Sequence, residues 1–269
     1  MLTAVYYEKG TDASVCQDAL LLEYVQKGKK EILLAVVCDG IGGLQQGEFA
    51  SSFVTGQLKR WFYHDYLKRI GPGFTKKKRT DNVTRVLHEI SRELVQYGKQ
   101  EHIRLGTTLT MMIFCGEKYQ LFHMGDSRAY LFPASKNMGQ GLLCGPKNGL
   151  KNDLKSDLKS GLLNRKKDCR LTKDDVYEKN VLCRCMGSFG WQGIFIKQGK
   201  IPKNGIVFLC TDGLIKQVDD REWRAVLNGA VIETEMKLEK RMRKLAREAR
   251  DRGEKDDQAG IAIVNRRKE

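Results

Sequence analysis

Apolar residues in this chain fall into short unbroken runs rather than long stripes. Residues 31–38, Glu-Ile-Leu-Leu-Ala-Val-Val-Cys, form one such run; 107–115, 119–124, 128–132, 206–210 and 259–264 form others. Runs of this length, rich in β-branched, aliphatic and aromatic residues, predict strands. Gly116-Glu117-Lys118 and Gly125-Asp126-Ser127 separate three of them and read as hairpin-type connections. Helical spacing begins after the first run. Phe49, Phe53, Leu58, Trp61 and Leu67 predict one helix, and Val83, Val86, Leu87, Ile90 and Leu94 predict a second. Gly71-Pro72-Gly73 and the basic run 76–79 read as a loop between them. A charged stretch over about 233–250 predicts a third helix before the last strand. Strands that follow one another directly favour antiparallel sheets with helices packed outside, an α+β layered architecture.

Residues 136–168 break the pattern. Gly, Lys and Asn are common there, and Leu150, Leu154, Leu158 and Leu162 recur at a spacing that drifts around a helix. The segment reads as an exposed insertion in a single domain spanning 1–269. No apolar stretch is long enough to span a bilayer, and the first residues lack the basic-then-apolar layout of a signal peptide, so no membrane partner and a cytoplasmic location are expected. The net charge is +15, but the basic runs 76–79, 165–167 and 266–268 are short, dispersed and free of interleaved aromatics. They read as solvated loops that attract phosphorylated or acidic partners, and nucleic acid is not expected as a partner. The 8 cysteines lie mostly in apolar runs; Cys183 and Cys185 are the one close pair, and without a second pair they do not suggest zinc.

Candidate chemistry lies at the ends of the apolar runs. Asp39 precedes Gly40, Asp126 follows Gly125, Asp212 precedes Gly213, and Asp256 and Asp257 precede the last run; Asp18 precedes Ala19-Leu20-Leu21-Leu22. A carboxylate at a strand end projects from a rigid frame. Several that converge would repel one another unless cations neutralised them. Donor sets made only of oxygen suit Mg²⁺ or Mn²⁺. Taken singly, each is an ordinary turn or capping Asp; together they predict a metal-binding α+β enzyme.

The motifs, in order, resemble a known family. They are Gln17-Asp18; Val37-Cys38-Asp39-Gly40-Ile41-Gly42-Gly43 with Gly47-Glu48-Phe49-Ala50-Ser51; Gly106-Thr107-Thr108-Leu109; His123 to Leu131, which includes Gly125-Asp126-Ser127-Arg128; Leu171-Thr172-Lys173-Asp174-Asp175; Leu209-Cys210-Thr211-Asp212-Gly213-Leu214; and Asp256-Asp257-Gln258. This set resembles the type 2C metal-dependent serine/threonine protein phosphatases in their compact bacterial form. The resemblance implies a four-layer α/β/β/α sandwich with two central antiparallel sheets. It implies two divalent cations, Mn²⁺ or Mg²⁺, on which Asp39, Asp212 and Asp256 act. Asp39 would bridge both, the Gly40 carbonyl would bind the second, and Asp212 and Asp256 the first. Asp18 would hold water bound to a metal, and Asp126 with Asp212 would help to hold a third cation. Phosphoserine and phosphothreonine would be hydrolysed by a metal-activated water without a phosphoenzyme. The implied partners are phosphorylated proteins, a serine/threonine kinase among them, and the chain is expected to be a monomer.

Three positions depart from the family pattern. The arginine that usually binds substrate phosphate, five residues before the first Asp, is Ala13, and no substitute is identified, so the substrate-binding residue is unknown. The acidic residue expected before Asp18 is Gln17. Ile41 stands where animal relatives carry a histidine, as bacterial relatives do with an apolar residue. The first two departures support an alternative: a catalytically weak relative that acts as a regulatory phosphoprotein-binding module. His123 reads as a packed core residue, and His64, His88 and His102 as surface positions on or beside helices.

Overall fold

A computed structural model of the chain describes residues 1–41, 46–134, 169–177, 181–187, 191–227 and 232–266. The expected insertion at 136–168 lies wholly outside the described residues, as do Gly42 and Gly43. Two antiparallel sheets carry the architecture. The first contains β2 (Asp18–Lys27), β3 (Lys30–Asp39), β5 (Leu109–Cys115), β6 (Lys118–Met124) and β11 (Phe195–Lys200), in the order β11-β6-β5-β3-β2. The second contains β1 (Leu2–Glu8), β7 (Arg128–Phe132), β12 (Ile206–Cys210) and β13 (Gln258–Val264), in the order β1-β13-β12-β7. Of the short strands, β4 (Gly106–Thr107) pairs with β10 (Met186–Gly187), and β8 (Val176–Tyr177) with β9 (Val181–Leu182).

The period-two alternation of a strand explains why the runs are apolar throughout. Ile32, Leu34, Val36 and Cys38 of β3 face a core shared with helices α1 (Gly47–Trp61) and α2 (Lys76–Glu101), whereas Leu33, Ala35 and Val37 face the other sheet. In β12, Val207 and Leu209 face the inter-sheet core, and Ile206, Phe208 and Cys210 face helices α3 (Asp220–Val226) and α4 (Glu235–Asp251). Ile261 and Ile263 of β13 point inward, Ala262 and Val264 outward. Three cores therefore separate four layers, helix, sheet, sheet, helix, and strands covered on both faces need apolar residues at every position.

The structure differs from the sequence reading at two connections. The basic run 76–79 is not loop; it is the first turn of α2, capped by Thr75, whose hydroxyl accepts from the Lys78 N–H at 3.4 Å. Gly125-Asp126-Ser127 is not a hairpin turn, because it carries the chain from β6 in one sheet to β7 in the other. Gly125 makes this possible: its φ is +112°, and a Cβ there would sit 2.7 Å from the Thr108 side chain. Gly116, by contrast, does turn a hairpin, with Cys115 paired to Lys118.

Candidate metal centre at the sheet edge

Five strand ends meet at one edge of the sandwich. β2 begins at Asp18 and β3 ends at Asp39, and these two are register partners. β6 ends one residue before Gly125-Asp126, β12 ends just before Thr211-Asp212, and Asp256-Asp257 lead into β13. Asp39, Asp126 and Asp212 each offer a carboxylate oxygen within 4.8 Å of the others.

Backbone bonds hold these side chains in place. The Asp39 carbonyl accepts from the Thr108 N–H at 2.8 Å and from the Thr107 hydroxyl at 2.8 Å, and the Asp39 N–H donates to the Thr108 hydroxyl at 2.9 Å. The Gly-Thr-Thr motif thus consumes the Asp39 backbone and leaves its carboxylate to the site. Thr108 is braced in turn by the Ser127 hydroxyl at 2.7 Å, beside Asp126. Gly40 lies so close to Gly47 and to the Gln17 carbonyl that a Cβ would fall 2.5 Å from Gly47 backbone atoms. The Asp18 carboxylate is buried and accepts from the Thr211 hydroxyl at 2.8 Å, which links the two sheets directly behind the cluster.

The electrostatics are those of crowded acids. Burial raises the Asp39 carboxyl well above its ordinary range, and Asp18, Asp212 and Asp126 add repulsion. Asp18 is raised by burial and by Asp257, Asp212 and Asp256, against the Thr211 hydrogen bond. Burial and Asp212 push Asp126 up to about 6. Asp212 is raised chiefly by burial, opposed by Lys216, and its Oδ1 is buried with no hydrogen-bond partner among the described residues. An unpaired buried carboxylate oxygen, amid oxygen donors that cannot all be ionised alone, fits a hard divalent cation and does not suit a soft thiolate-seeking one.

Asp256 sits differently from its expected partners. It lies outside the group of three, and its side chain is 51% exposed. It meets Asp212 through Lys216, whose ammonium lies 2.8 Å from Asp212 Oδ2 and 2.8 Å from Asp256 Oδ2. Burial works against that charge, but Asp212 and Asp256 more than offset it and hold the ammonium above its ordinary range. Sequence reasoning missed Lys216, since nothing local links position 216 to 256. It picked out Asp257 among the candidate acids but not its role: its two oxygens accept from the Gly10 and Gln17 N–H groups at 2.6 Å each and tie down the loop between β1 and β2. Gln17 itself acts through its backbone: its carbonyl accepts from Gly40 N at 3.0 Å and the Ser51 hydroxyl at 2.6 Å.

Ala13 lines an open groove of about 430 Å³ with Asp12, Glu254, Lys255 and Asp256. Lys255 is paired with Asp12 at 3.1 Å, and the Lys9 ammonium is bound to the Ala13 carbonyl at 2.8 Å. His123 is fully buried, with ring nitrogens 2.9 Å from the Thr110 hydroxyl and 3.0 Å from the Lys173 carbonyl, a packing role rather than a ligand role. Cys38 and Cys210, beside the acids, are buried thiols pushed up by desolvation and unsuited to thiolate attack. Among the described residues, no helix is long and apolar enough to cross a membrane.

The likeness to known proteins follows the same framework. The serine/threonine phosphatase stp of Listeria monocytogenes serotype 4b (strain F2365) is 24% identical over 199 residues, 72% of this chain and 71% of that one. A Mycoplasma pneumoniae relative is 29% identical over 147 residues, 51% of this chain, and the chain spans about half of that relative's length. Among solved structures, serine/threonine phosphatase Stp1 from Staphylococcus aureus superposes with a TM-score of 0.68 at 23% identity, covering 98% of this chain and 95% of that one. The catalytic domain of the serine threonine protein phosphatase PstP, in complex with two manganese ions, superposes with a TM-score of 0.65 at 20% identity, covering 97% of each. At these identities the structures bear on the fold, which is the four-layer sandwich described above. Residues 8–254 match protein phosphatase 2C, a stretch that takes in Asp18, Asp39, Asp126 and Asp212 in order, and the chain belongs to that protein phosphatase family.

Proposed function

We propose that this chain is a metal-dependent serine/threonine protein phosphatase that hydrolyses phosphoserine and phosphothreonine directly. The observation that carries the reading is the convergence of Asp39, Asp126 and Asp212 within 4.8 Å, with Asp212 Oδ1 buried and unpartnered. Asp39, Asp212 and Asp256, with the Gly40 carbonyl, would hold two divalent cations, Mn²⁺ or Mg²⁺; Asp126 with Asp212 would serve a third. Bound cations supply a nucleophile from water at neutral pH and screen the charge of the phosphate ester. The chain's own part is to hold the donors rigid. Thr107 and Thr108 fix Asp39, Thr211 fixes Asp18, and Asp257 closes the loop that borders the groove. The buried, raised thiols of Cys38 and Cys210 favour direct hydrolysis over a phosphocysteine. Phosphorylated proteins are the expected substrates.

Asp39→Asn tests this reading: turnover should fall by at least about a thousandfold, since a carboxylate that would hold the cations is lost, with the thermal melt retained. Unchanged turnover at saturating Mn²⁺ would defeat it. One observation favours the second reading, a regulatory phosphoprotein binder: Ala13 leaves the groove without an arginine fork for phosphate. A binder would retain a phosphopeptide without hydrolysing it.

A further inference from the structure

We propose that Lys216 is a built-in, displaceable counter-cation of the carboxylate centre, which competes with the divalent cation that Asp212 and Asp256 would share and so raises the metal concentration at which that position fills. The inference rests on the reading that these carboxylates hold divalent cations.

The geometry places one ammonium on one oxygen of each acid, at 2.8 Å in both cases. A divalent ion bound to the same two carboxylates would stand close to that ammonium, and like charges at short range repel. Lys216 and the metal therefore exclude each other. The lysine also does the work incompletely: it satisfies Asp212 Oδ2 and leaves Oδ1 buried without a hydrogen bond among the described residues. A cation with several coordination positions would satisfy more of the cluster than three N–H donors can.

Displacement is easy on the protein side. The Lys216 backbone is anchored, its N–H donating to the Asp212 carbonyl at 2.9 Å, so the residue stays beside the site. Its side chain is 45% exposed. Swinging the flexible stem outward breaks two ion pairs and no core packing. The site thus has two arrangements, ammonium in and ammonium out, and only the second accepts metal. Apparent metal affinity is then reduced by the fraction of molecules with the ammonium out.

The test is Mn²⁺ binding to the full chain, followed by calorimetry and by the paramagnetic resonance of free Mn²⁺, in wild type, Lys216→Met and Lys216→Arg, with Asp39→Asn as the control for the metal centre. Lys216→Met should half-saturate at an Mn²⁺ concentration about tenfold lower or less. Lys216→Arg, which keeps the charge, should stay within about threefold of wild type. The metal-free methionine variant should melt below metal-free wild type and gain more from added Mn²⁺. Lys216→Gln replaces the methionine variant if that one does not fold. Equal or weaker Mn²⁺ binding in the uncharged variants would overturn the role of Lys216 while leaving the metal reading intact. Failure of both wild type and the uncharged variants to bind Mn²⁺ would overturn both.

Discussion

At the scale of single residues, the centre depends on how each acid's other bonds are used. Asp39 has its backbone consumed by Thr107 and Thr108, so its carboxylate can only serve the site. Ala13 is the opposite case, a position that touches the groove and offers no charge. Ala13→Arg should therefore lower the KM for a small phosphate ester by about tenfold, the worth of one charge-assisted contact; initial-rate kinetics check this, and an unchanged KM would mean that another group already holds the phosphate. His123 gives a pH prediction. Burial lowers its pKa from 6.5 to about 4, so the folded ring stays neutral while the unfolded ring takes up a proton. The contribution is fully present above pH 6.5 and is lost as pH falls towards 4, by about 3 kcal/mol in all. Urea melts from pH 7.5 to 4.5 should show it in the difference between wild type and His123→Gln, since the raised acids of the cluster titrate alike in both. The aspartates themselves were legible in the sequence because Asp beside Gly at the end of an apolar run is a local pattern. Lys216 was not, and the role of Asp257 was not, because their partners are distant in the chain: Asp256 for the first, Gly10 and Gln17 for the second.

At the scale of elements, the site is a meeting of strand ends, and the loops that cross it are held by side chains rather than by sheet pairing. Asp257 is the clearest instance, because two backbone N–H groups of the β1–β2 loop depend on it. Asp257→Ala should cost about 2–4 kcal/mol, the penalty for one buried and one partly buried donor left unmatched, and should expose the 10–17 loop to proteolysis; an unchanged melt and digestion pattern would show that the loop is held elsewhere. Strands buried on both faces announced themselves as unbroken apolar runs, as in 31–38 and 206–210. The edge strand β11, Phe-Ile-Lys-Gln-Gly-Lys, has no such signal, since its outer side needs no apolar cover. Local sequence also could not separate a turn within a sheet from a crossing between sheets. Gly125-Asp126-Ser127 has hairpin composition, yet the crossing is what delivers Asp126 to the acids.

At the scale of the whole molecule, two sheets bring strand ends from across the chain to one edge, and the resulting charge is left for a ligand to settle. Mn²⁺ at about a hundred times its dissociation constant should stabilise the fold by about 2.7 kcal/mol, raising Tm by about 5–10 °C; Asp39→Asn should lose most of that rise in a thermal melt. The layered α+β class was legible from consecutive strands flanked by helical patterns. The pairing order β1-β13-β12-β7 was not, because a first strand beside a last one leaves no local trace. The most direct test of the account is hydrolysis of p-nitrophenyl phosphate and of a phosphothreonine peptide by the purified chain, with Mn²⁺, with Mg²⁺ and with EDTA. The account predicts turnover of both substrates that requires a divalent cation and stops in EDTA. Folded, Mn²⁺-binding protein that hydrolyses neither substrate would contradict it, and would leave the phosphoprotein binder without the arginine fork as the reading to pursue.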